Sequence, residues 1–333
     1  MMKGAECVVR VGHGAWVLSE KRSTLVAVAV VLMGCPQHTT IPSVDCAPIS
    51  DHFKGCVMDW LSWLKPWELS PVLVVCFVLS AWLFLRGARV RRVSRTRQVF
   101  FWSGWVMLYL SMHTMLDYYA ERMFFMHRIQ HLVLHHLGPL VVMAAYPGSV
   151  MRAGLPRALR QALFRFTQTI WGRGTVSLLT NPIFVPVLFV FLVVIWLIPS
   201  VQFYSMLDWR LYRLMNWSVV ITGFMYWNLI LDRRPNPPAA MTPGGRVISP
   251  ILTMAPQMVA GAVIAFTERD LYPLFDLCGR AIPMAAQTDQ MIGGLTMWIP
   301  AAMTEVIGLL IALRTLMRLS AKGRWGVAKR IRV

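Results

Sequence analysis

The histidines of this chain are concentrated in one short window. All five that follow residue 52 lie between residues 113 and 136: His113, His127, His131, His135 and His136. Three of them, His127, His131 and His135, are four residues apart, so a helix would stack them along one side about 6 Å from one another. Neighbouring members of this row can bind the same ion, whereas the outer two, about 12 Å apart, cannot. The pattern predicts a metal or cofactor site on this helix.

The residues around His113 indicate which metal such a site would take. Asp117 follows His113 by one turn, and four methionines surround the same region: Met112, Met115, Met123 and Met126. Imidazole and thioether groups are soft ligands that favour copper, particularly Cu(I), over magnesium or calcium, while zinc remains possible with histidine alone. The alternative is that these polar residues only form hydrogen bonds between helices. Because ionisable groups within a membrane are costly and usually functional, we favour the ligand site.

The elements that position these histidines are expected to lie in a membrane. The chain is 56% hydrophobic and 14% charged, with a mean hydropathy of +0.54, whereas a soluble domain has about 25% charged residues. A formal charge of +18 would favour nucleic acid as a partner if the basic residues formed one soluble surface. They lie instead in loops on one predicted side of a membrane. We therefore expect a lipid bilayer, and no nucleic acid, as the partner of this chain.

Seven apolar stretches are long enough to cross a bilayer as helices: about 68–85, 99–116, 123–146, 178–199, 216–231, 247–266 and 290–313. The segments after the first, third, fifth and seventh stretches carry 21 basic residues, and the intervening segments carry 7. The more basic side is cytoplasmic by the positive-inside rule. We predict an all-α polytopic membrane protein with seven transmembrane helices, the N-terminus outside and the C-terminus cytoplasmic. The hairpin of its second and third helices would bring His113 to the depth of His127 and His131.

The two ends of the chain differ from its apolar middle. Lys21 and Arg22 precede an apolar run that is too short to span a bilayer but suits a signal peptide. Cys35 follows this run and is open to lipidation, while Cys46 and Cys56 either pair in an oxidising compartment or remain free thiols. We divide the chain into a probable signal segment at 1–35, an exported N-terminal arm at 36–67, a membrane domain at 68–315 and a basic cytoplasmic tail at 316–333.

One predicted inner loop carries an amphipathic pattern. Its apolar residues recur at helical spacing, while its arginines face elsewhere: Leu155, Leu159, Leu163, Phe166 and Ile170 against Arg157, Arg160 and Arg165. The pattern predicts a helix that lies on the inner membrane surface. The alternative is a solvated linker.

Several motifs occur in a fixed order along the membrane domain. These motifs are Trp67, Leu83–Gly87, the run His127-Arg128-Ile129-Gln130-His131-Leu132 followed by Gly138-Pro139-Leu140, Leu271-Tyr272-Pro273, and the run D-Q-M-I-G-G-L-T-M-W from Asp289 to Trp298. In these motifs, over about residues 66 to 315, the chain resembles the CtaG-type cytochrome c oxidase assembly proteins, a family of seven-helix bacterial membrane proteins. The run from Asp289, similar to the family's D-Q-x-x-G-G-x-x-M-W, is the most specific of them.

The resemblance implies a function, a location and further site residues. It implies a non-enzymatic assembly factor of the bacterial cytoplasmic (inner) membrane that delivers copper to the catalytic subunit of a haem–copper oxidase. The copper would come from a periplasmic donor. The resemblance also adds Asp289 and Met297 to the shared site. The complete predicted ligand set, with Cu(I) as the favoured ion, is His113, Asp117, Met126, His127, His131, Asp289 and Met297.

The chain also departs from the family pattern. The family usually has further histidines near the end of the fourth helix and the start of the fifth, where this chain has Trp196 and Asn216. His113, His135 and His136 are the residues that would compensate. Because of this departure, the resemblance determines neither the ligand set nor the client oxidase.

Two other classes of function remain open at the level of sequence. A membrane oxidoreductase would ligate haem with two histidines on separate helices, such as His113 and His131, and would show a Soret band. A copper transporter would move the ion across the bilayer and show flux into sealed vesicles. The chain contains no Walker loop and no H-E-x-x-H motif, so hydrolysis and group transfer have little support.

Overall fold

The computed structural model describes residues 8–11, 14–17, 64–66 and 70–323. Two short strands, β1 (Val8–Val11) and β2 (Gly14–Val17), pair antiparallel within the predicted signal segment. The rest of that segment and nearly all of the predicted exported arm lie outside the described residues, as do Cys35, Cys46 and Cys56. The last ten residues of the basic tail also lie outside them.

From residue 70 to residue 323 the chain is built from helices, which confirms the all-α class for this part. The helices are α1 (Pro71–Val90), α2 (Arg95–His113), α3 (Met115–Arg122), α4 (Phe124–His131), α5 (Gly138–Ala144), α6 (Gly148–Gly154), α7 (Arg157–Gln168), α8 (Ile170–Leu179), α9 (Phe184–Ile195), α10 (Pro199–Leu207), α11 (Trp209–Ile230), α12 (Pro243–Phe266), α13 (Leu274–Leu277) and α14 (Ala286–Ala321). A π-helical segment, Leu132–Leu137, joins α4 to α5 without a break.

Several of these helices identify a membrane protein. Among the described residues, α1, α12 and α14 are long and apolar enough to cross a bilayer, and α8 with α9, bent by 62°, form a fourth candidate. The other predicted spans coincide with helices α2, α11 and the run from α4 to α5. These helices carry histidine, arginine and asparagine side chains, and the run from α4 to α5 is divided into segments of 8, 6 and 7 residues. The number of seven spans and the orientation of the termini stay predictions.

The helix that carries the histidines forms a hairpin with α2. Near one end, Arg97 donates hydrogen bonds to the carbonyl oxygens of Ala145 (2.8 Å) and Tyr146 (2.9 Å). Near the other end, Gln130 Nε2 donates to the carbonyl oxygen of Ser111 at 2.7 Å. The beginning of α2 therefore lies beside the end of α5, and its end lies beside α4. This is the antiparallel hairpin that the sequence predicts.

Helices α12 and α14 form the longest helix pair of the fold. They approach closely because both have glycine at the contact. A Cβ built on Gly294 would lie 2.5 Å from the backbone nitrogen of Ala265, and one built on Gly261 would lie 2.9 Å from the carbonyl oxygen of Gly294. Small residues allow such close packing of membrane helices. The pair supplies one wall of the candidate site.

Arginines hold the loop between α11 and α12, which lies outside the predicted spans. Arg246 is buried and donates to the carbonyl oxygens of Met241 (2.6 Å) and Arg234 (3.0 Å). Burial would raise the pKa of the Asp232 carboxyl group, but hydrogen bonds and charge from Arg234 outweigh it and lower that pKa. The predicted amphipathic helix in the preceding inner loop is also present, as α7, with most of its residues exposed.

We predict that alanine at Gly223 destabilises the contact between α11 and the π-helical segment. The added Cβ would lie 2.5 Å from the carbonyl oxygen of His135 and 2.9 Å from Cγ of Pro139, so one element must shift. The expected loss in the free energy of unfolding is about 1–3 kcal/mol, measured by thermal unfolding in detergent. Gly174→Ala is the matched control, since nothing lies within 4 Å of its Cβ. Equal unfolding temperatures for the two variants would contradict this packing.

Candidate functional site

His127 and His131 form a buried pair on α4. Their ring centroids lie 4.4 Å apart, as the four-residue spacing predicts, and His127 is fully buried. Three ring nitrogens have no hydrogen-bond partner within the described part of the chain: Nδ1 and Nε2 of His127 and Nε2 of His131. Buried polar atoms are normally hydrogen-bonded. These nitrogens are therefore the strongest candidates for binding a ligand.

His113 lies on a different helix from this pair. Its ring packs against Tyr109, with centroids 5.2 Å apart, and is buried near the end of α2. Its Nδ1 has no hydrogen-bond partner among the described residues. Its role as a third ligand stays a prediction.

Asp117 connects three elements at the same end of the hairpin. Its Oδ1 accepts hydrogen bonds from Gln130 Nε2 and from the Tyr212 hydroxyl group, both at 2.6 Å. These contacts tie α3 to α4 and to the beginning of α11. Met126, also a predicted ligand, is half-buried on α4. Asp117 thus positions α4 in this structure, and its predicted role as a ligand stays untested.

Asp289 caps the helix that carries the histidines. Its Oδ2 accepts from the backbone nitrogen of Phe124 at 3.0 Å, and its Oδ1 accepts from that of Phe125 at 2.8 Å. Arg280 Nε donates to Oδ2 at 3.1 Å. A carboxylate at a helix N-terminus satisfies free N–H groups and interacts favourably with the helix dipole. The geometry gives Asp289 a positioning role one turn before His127.

Met297 belongs to the wall of a small cavity beside His131. The cavity has a volume of about 30 Å³, which accommodates one or two groups of the size of water. Its lining residues come from α4, the π-helical segment, α9, α12 and α14: Arg128, His131, Leu132, His135, His136, Val193, Gln257, Thr296, Met297 and Ala301. The cavity brings the predicted thioether to the same space as one of the predicted imidazoles.

The π-helical segment places two consecutive histidines at this cavity. Both His135 and His136 are buried, with ring centroids 5.0 Å apart. His135 stacks on Phe189 at 3.9 Å, and its Nε2 lies 3.3 Å from the hydroxyl oxygen of Thr222. A π-helical turn contains an extra residue and is often found at functional sites. The ideal helical spacing used for the sequence prediction therefore ends at residue 132.

Glu305 forms the centre of a buried polar network. Its Oε1 accepts from Gln257 Nε2 at 2.6 Å and its Oε2 from the Thr253 hydroxyl group at 2.7 Å. The Tyr226 hydroxyl group lies 2.9 Å from that of Thr253, and His136 Nδ1 lies 3.7 Å from Glu305 Oε1. These partners of Glu305 are not predicted above. The polar residues of α12 that recur every four positions could have indicated them: Ser249, Thr253 and Gln257.

The described part of the site does not contain a cluster of three side chains of the usual metal-binding types. Within residues 64–66 and 70–323, no three histidine, cysteine, aspartate or glutamate side chains lie close enough together to hold one ion. Two adjacent imidazoles and a nearby thioether still fit Cu(I), because this ion prefers soft ligands and accepts low coordination numbers. The pair His127 and His131 is the part of the predicted ligand set that meets this requirement.

The chain matches a known protein family. The family described as cytochrome c oxidase caa3 assembly factor (Caa3_CtaG) matches residues 74–319. The match covers most of the chain and includes both the histidine helix and the run that begins at Asp289. Comparison with curated proteins and with solved structures gives no match.

Proposed function

The chain belongs to the cytochrome c oxidase caa3 assembly factor family, and on this premise we propose that it delivers copper to a haem–copper oxidase. In this proposal it is a non-catalytic protein of the bacterial inner membrane. It accepts Cu(I) from a periplasmic donor, holds the ion at His127 and His131, and releases it to the membrane-embedded catalytic subunit.

The observation that supports this proposal is the incomplete hydrogen bonding of the buried histidine pair. Its two rings lie 4.4 Å apart on adjacent turns of one helix. Three of their ring nitrogens are buried without a hydrogen bond among the described residues. Buried nitrogens of this kind are available to coordinate a metal ion. Imidazole nitrogen suits copper, and Met297 on the nearby cavity wall offers a soft ligand during transfer.

The other predicted ligands support the pair in a different way. Asp289 fixes the first turn of α4 through the nitrogens of Phe124 and Phe125. Asp117 fixes the same helix through Gln130. With both carboxylates engaged in this way, the ion would be held by neutral ligands. Weak electrostatic attraction favours release to a partner, which a delivery protein requires.

We predict that the purified protein in detergent binds Cu(I) stoichiometrically and that His127→Ala/His131→Ala loses this binding. The measurement is competition with a chromophoric Cu(I) chelator under reducing conditions. His113→Asn is the matched control, because His113 is a buried histidine of α2 whose ring packs against Tyr109, and it should retain the wild-type stoichiometry. Stoichiometric binding by the double variant would reject the site.

A further inference from the structure

Arg128 is a buried cation with an incomplete set of partners. Its side chain is 3% exposed, between the two histidines of the pair in sequence. Among the described residues, Nε and Nη2 of its guanidinium group have no hydrogen-bond partner, and none of the ion pairs includes it. Its one aromatic contact is with the ring of Phe124, 5.1 Å away. Buried charges are normally paired, so this guanidinium group calls for an anion.

The buried carboxylates of the region are engaged by other donors. Asp289 binds two backbone nitrogens and Arg280. Glu305 accepts hydrogen bonds from Thr253 and Gln257 and lies 3.7 Å from His136. Since neither carboxylate forms an ion pair with Arg128, the described residues leave part of this positive charge uncompensated.

The guanidinium group borders a cavity whose walls carry further unpartnered nitrogens. Arg128 lines the cavity of about 30 Å³ together with His131, His135 and His136. Nε2 of His131 and Nδ1 of both His135 and His136 have no hydrogen-bond partner among the described residues. A neutral imidazole can donate one N–H group, and a guanidinium group donates up to five. The cavity therefore offers several donors to one small acceptor.

The cavity has room for a small anion. Its volume of about 30 Å³ accommodates one or two groups of the size of water, so a single-atom anion fits. We propose that this cavity binds one halide ion, chloride under cellular conditions, through Arg128 Nε and Nη2.

This site would balance charge next to the proposed copper pair. A cation held at His127 and His131 lies on the same helix turns as Arg128, and a halide in the cavity compensates the charge of this arginine. The anion site stands on the geometry of Arg128 alone and does not require copper binding. Its test therefore uses copper-free protein, so that its failure leaves the proposed copper function unaffected.

The test is the chloride dependence of the thermal unfolding temperature of the purified protein in detergent. Sodium chloride or sodium bromide replaces sodium gluconate at constant ionic strength. A ligand that binds only the folded state raises the unfolding temperature in a saturable way. We expect this rise with both halides. Arg128→Met should lose it, and Arg160→Met, which removes an exposed arginine of α7, should keep it. An unfolding temperature independent of halide, or an unchanged response in Arg128→Met, would overturn the proposal.

A second measurement covers the case in which Arg128→Met does not fold. Equilibrium dialysis of the wild-type protein against radioactive chloride should give about one bound chloride per chain, displaced by bromide but not by gluconate. A cavity that holds only water bridging these donors would show no saturable chloride binding, and this result would contradict the proposal.

Discussion

Membranes from cells in which His127 and His131 are both replaced by alanine are expected to contain as little active cytochrome c oxidase as membranes from cells without the protein. The two imidazoles supply the proposed Cu(I) site, so their removal stops delivery at its first step. The measurement is oxidase activity together with the copper and haem content of the membranes. Copper should fall relative to haem, because the proposed defect affects metal insertion and not haem synthesis.

The matched control for this experiment is His113→Asn. It removes one buried histidine from the neighbouring helix without changing the pair, and oxidase activity should remain close to the wild-type level. Immunoblots must show that each variant accumulates in the membrane, since a misfolded protein would also give low activity. Full oxidase activity with a stably accumulated His127→Ala/His131→Ala variant would contradict the proposal that copper is transferred at this pair.

Asp289→Ala is expected to cause the largest loss of stability among single substitutions in the site. It removes a fully buried carboxylate that binds two backbone nitrogens and leaves Arg280 without this partner. Breaking a buried ion pair by removing one member costs about 3–5 kcal/mol. Thermal unfolding in detergent measures the effect. Cu(I) affinity should fall as well, because the freed first turn of α4 carries His127 only three residues beyond Phe124.

Asp208→Ala provides the comparison for Asp289. Asp208 is an exposed N-cap that accepts from the backbone nitrogen of Arg210 at 2.7 Å. The loss of an exposed cap costs about 1 kcal/mol, so the unfolding temperature should fall much less. Asp289→Asn should lie between the two, because the amide oxygen still accepts one hydrogen bond. Equal losses for Asp208→Ala and Asp289→Ala would contradict the buried capping role.

The sequence was sufficient to predict the family and the helix that carries the pair. The motif from His127 to Leu132 and the run from Asp289 to Trp298 led to the family that matches residues 74–319. Four-residue spacing placed His127 beside His131, because an α-helix fixes the position of the next turn. Arg97 and Gln130 show that the predicted hairpin is also formed.

The sequence was less informative where tertiary contacts decide a residue's role. The role of Asp289 as a ligand, which its motif implies, stays a prediction, while its capping of α4 across 165 positions of the chain is visible only in the structure. A side-chain cap of this kind joins segments that sequence spacing does not relate. Likewise, the π-helical turn at 132–137 changes the direction of His135 and His136. This turn packs closely against α11 at Gly223, a tertiary contact that sequence spacing does not reveal.

X-ray absorption at the copper edge of the Cu(I)-bound wild-type protein tests the central claim most directly. We predict a spectrum that shows copper with a low coordination number and two imidazole nitrogen ligands. The imidazole scattering should be lost in His127→Ala/His131→Ala. Copper bound without imidazole ligands, or an identical spectrum in the double variant, would contradict the claim that this histidine pair carries the ion.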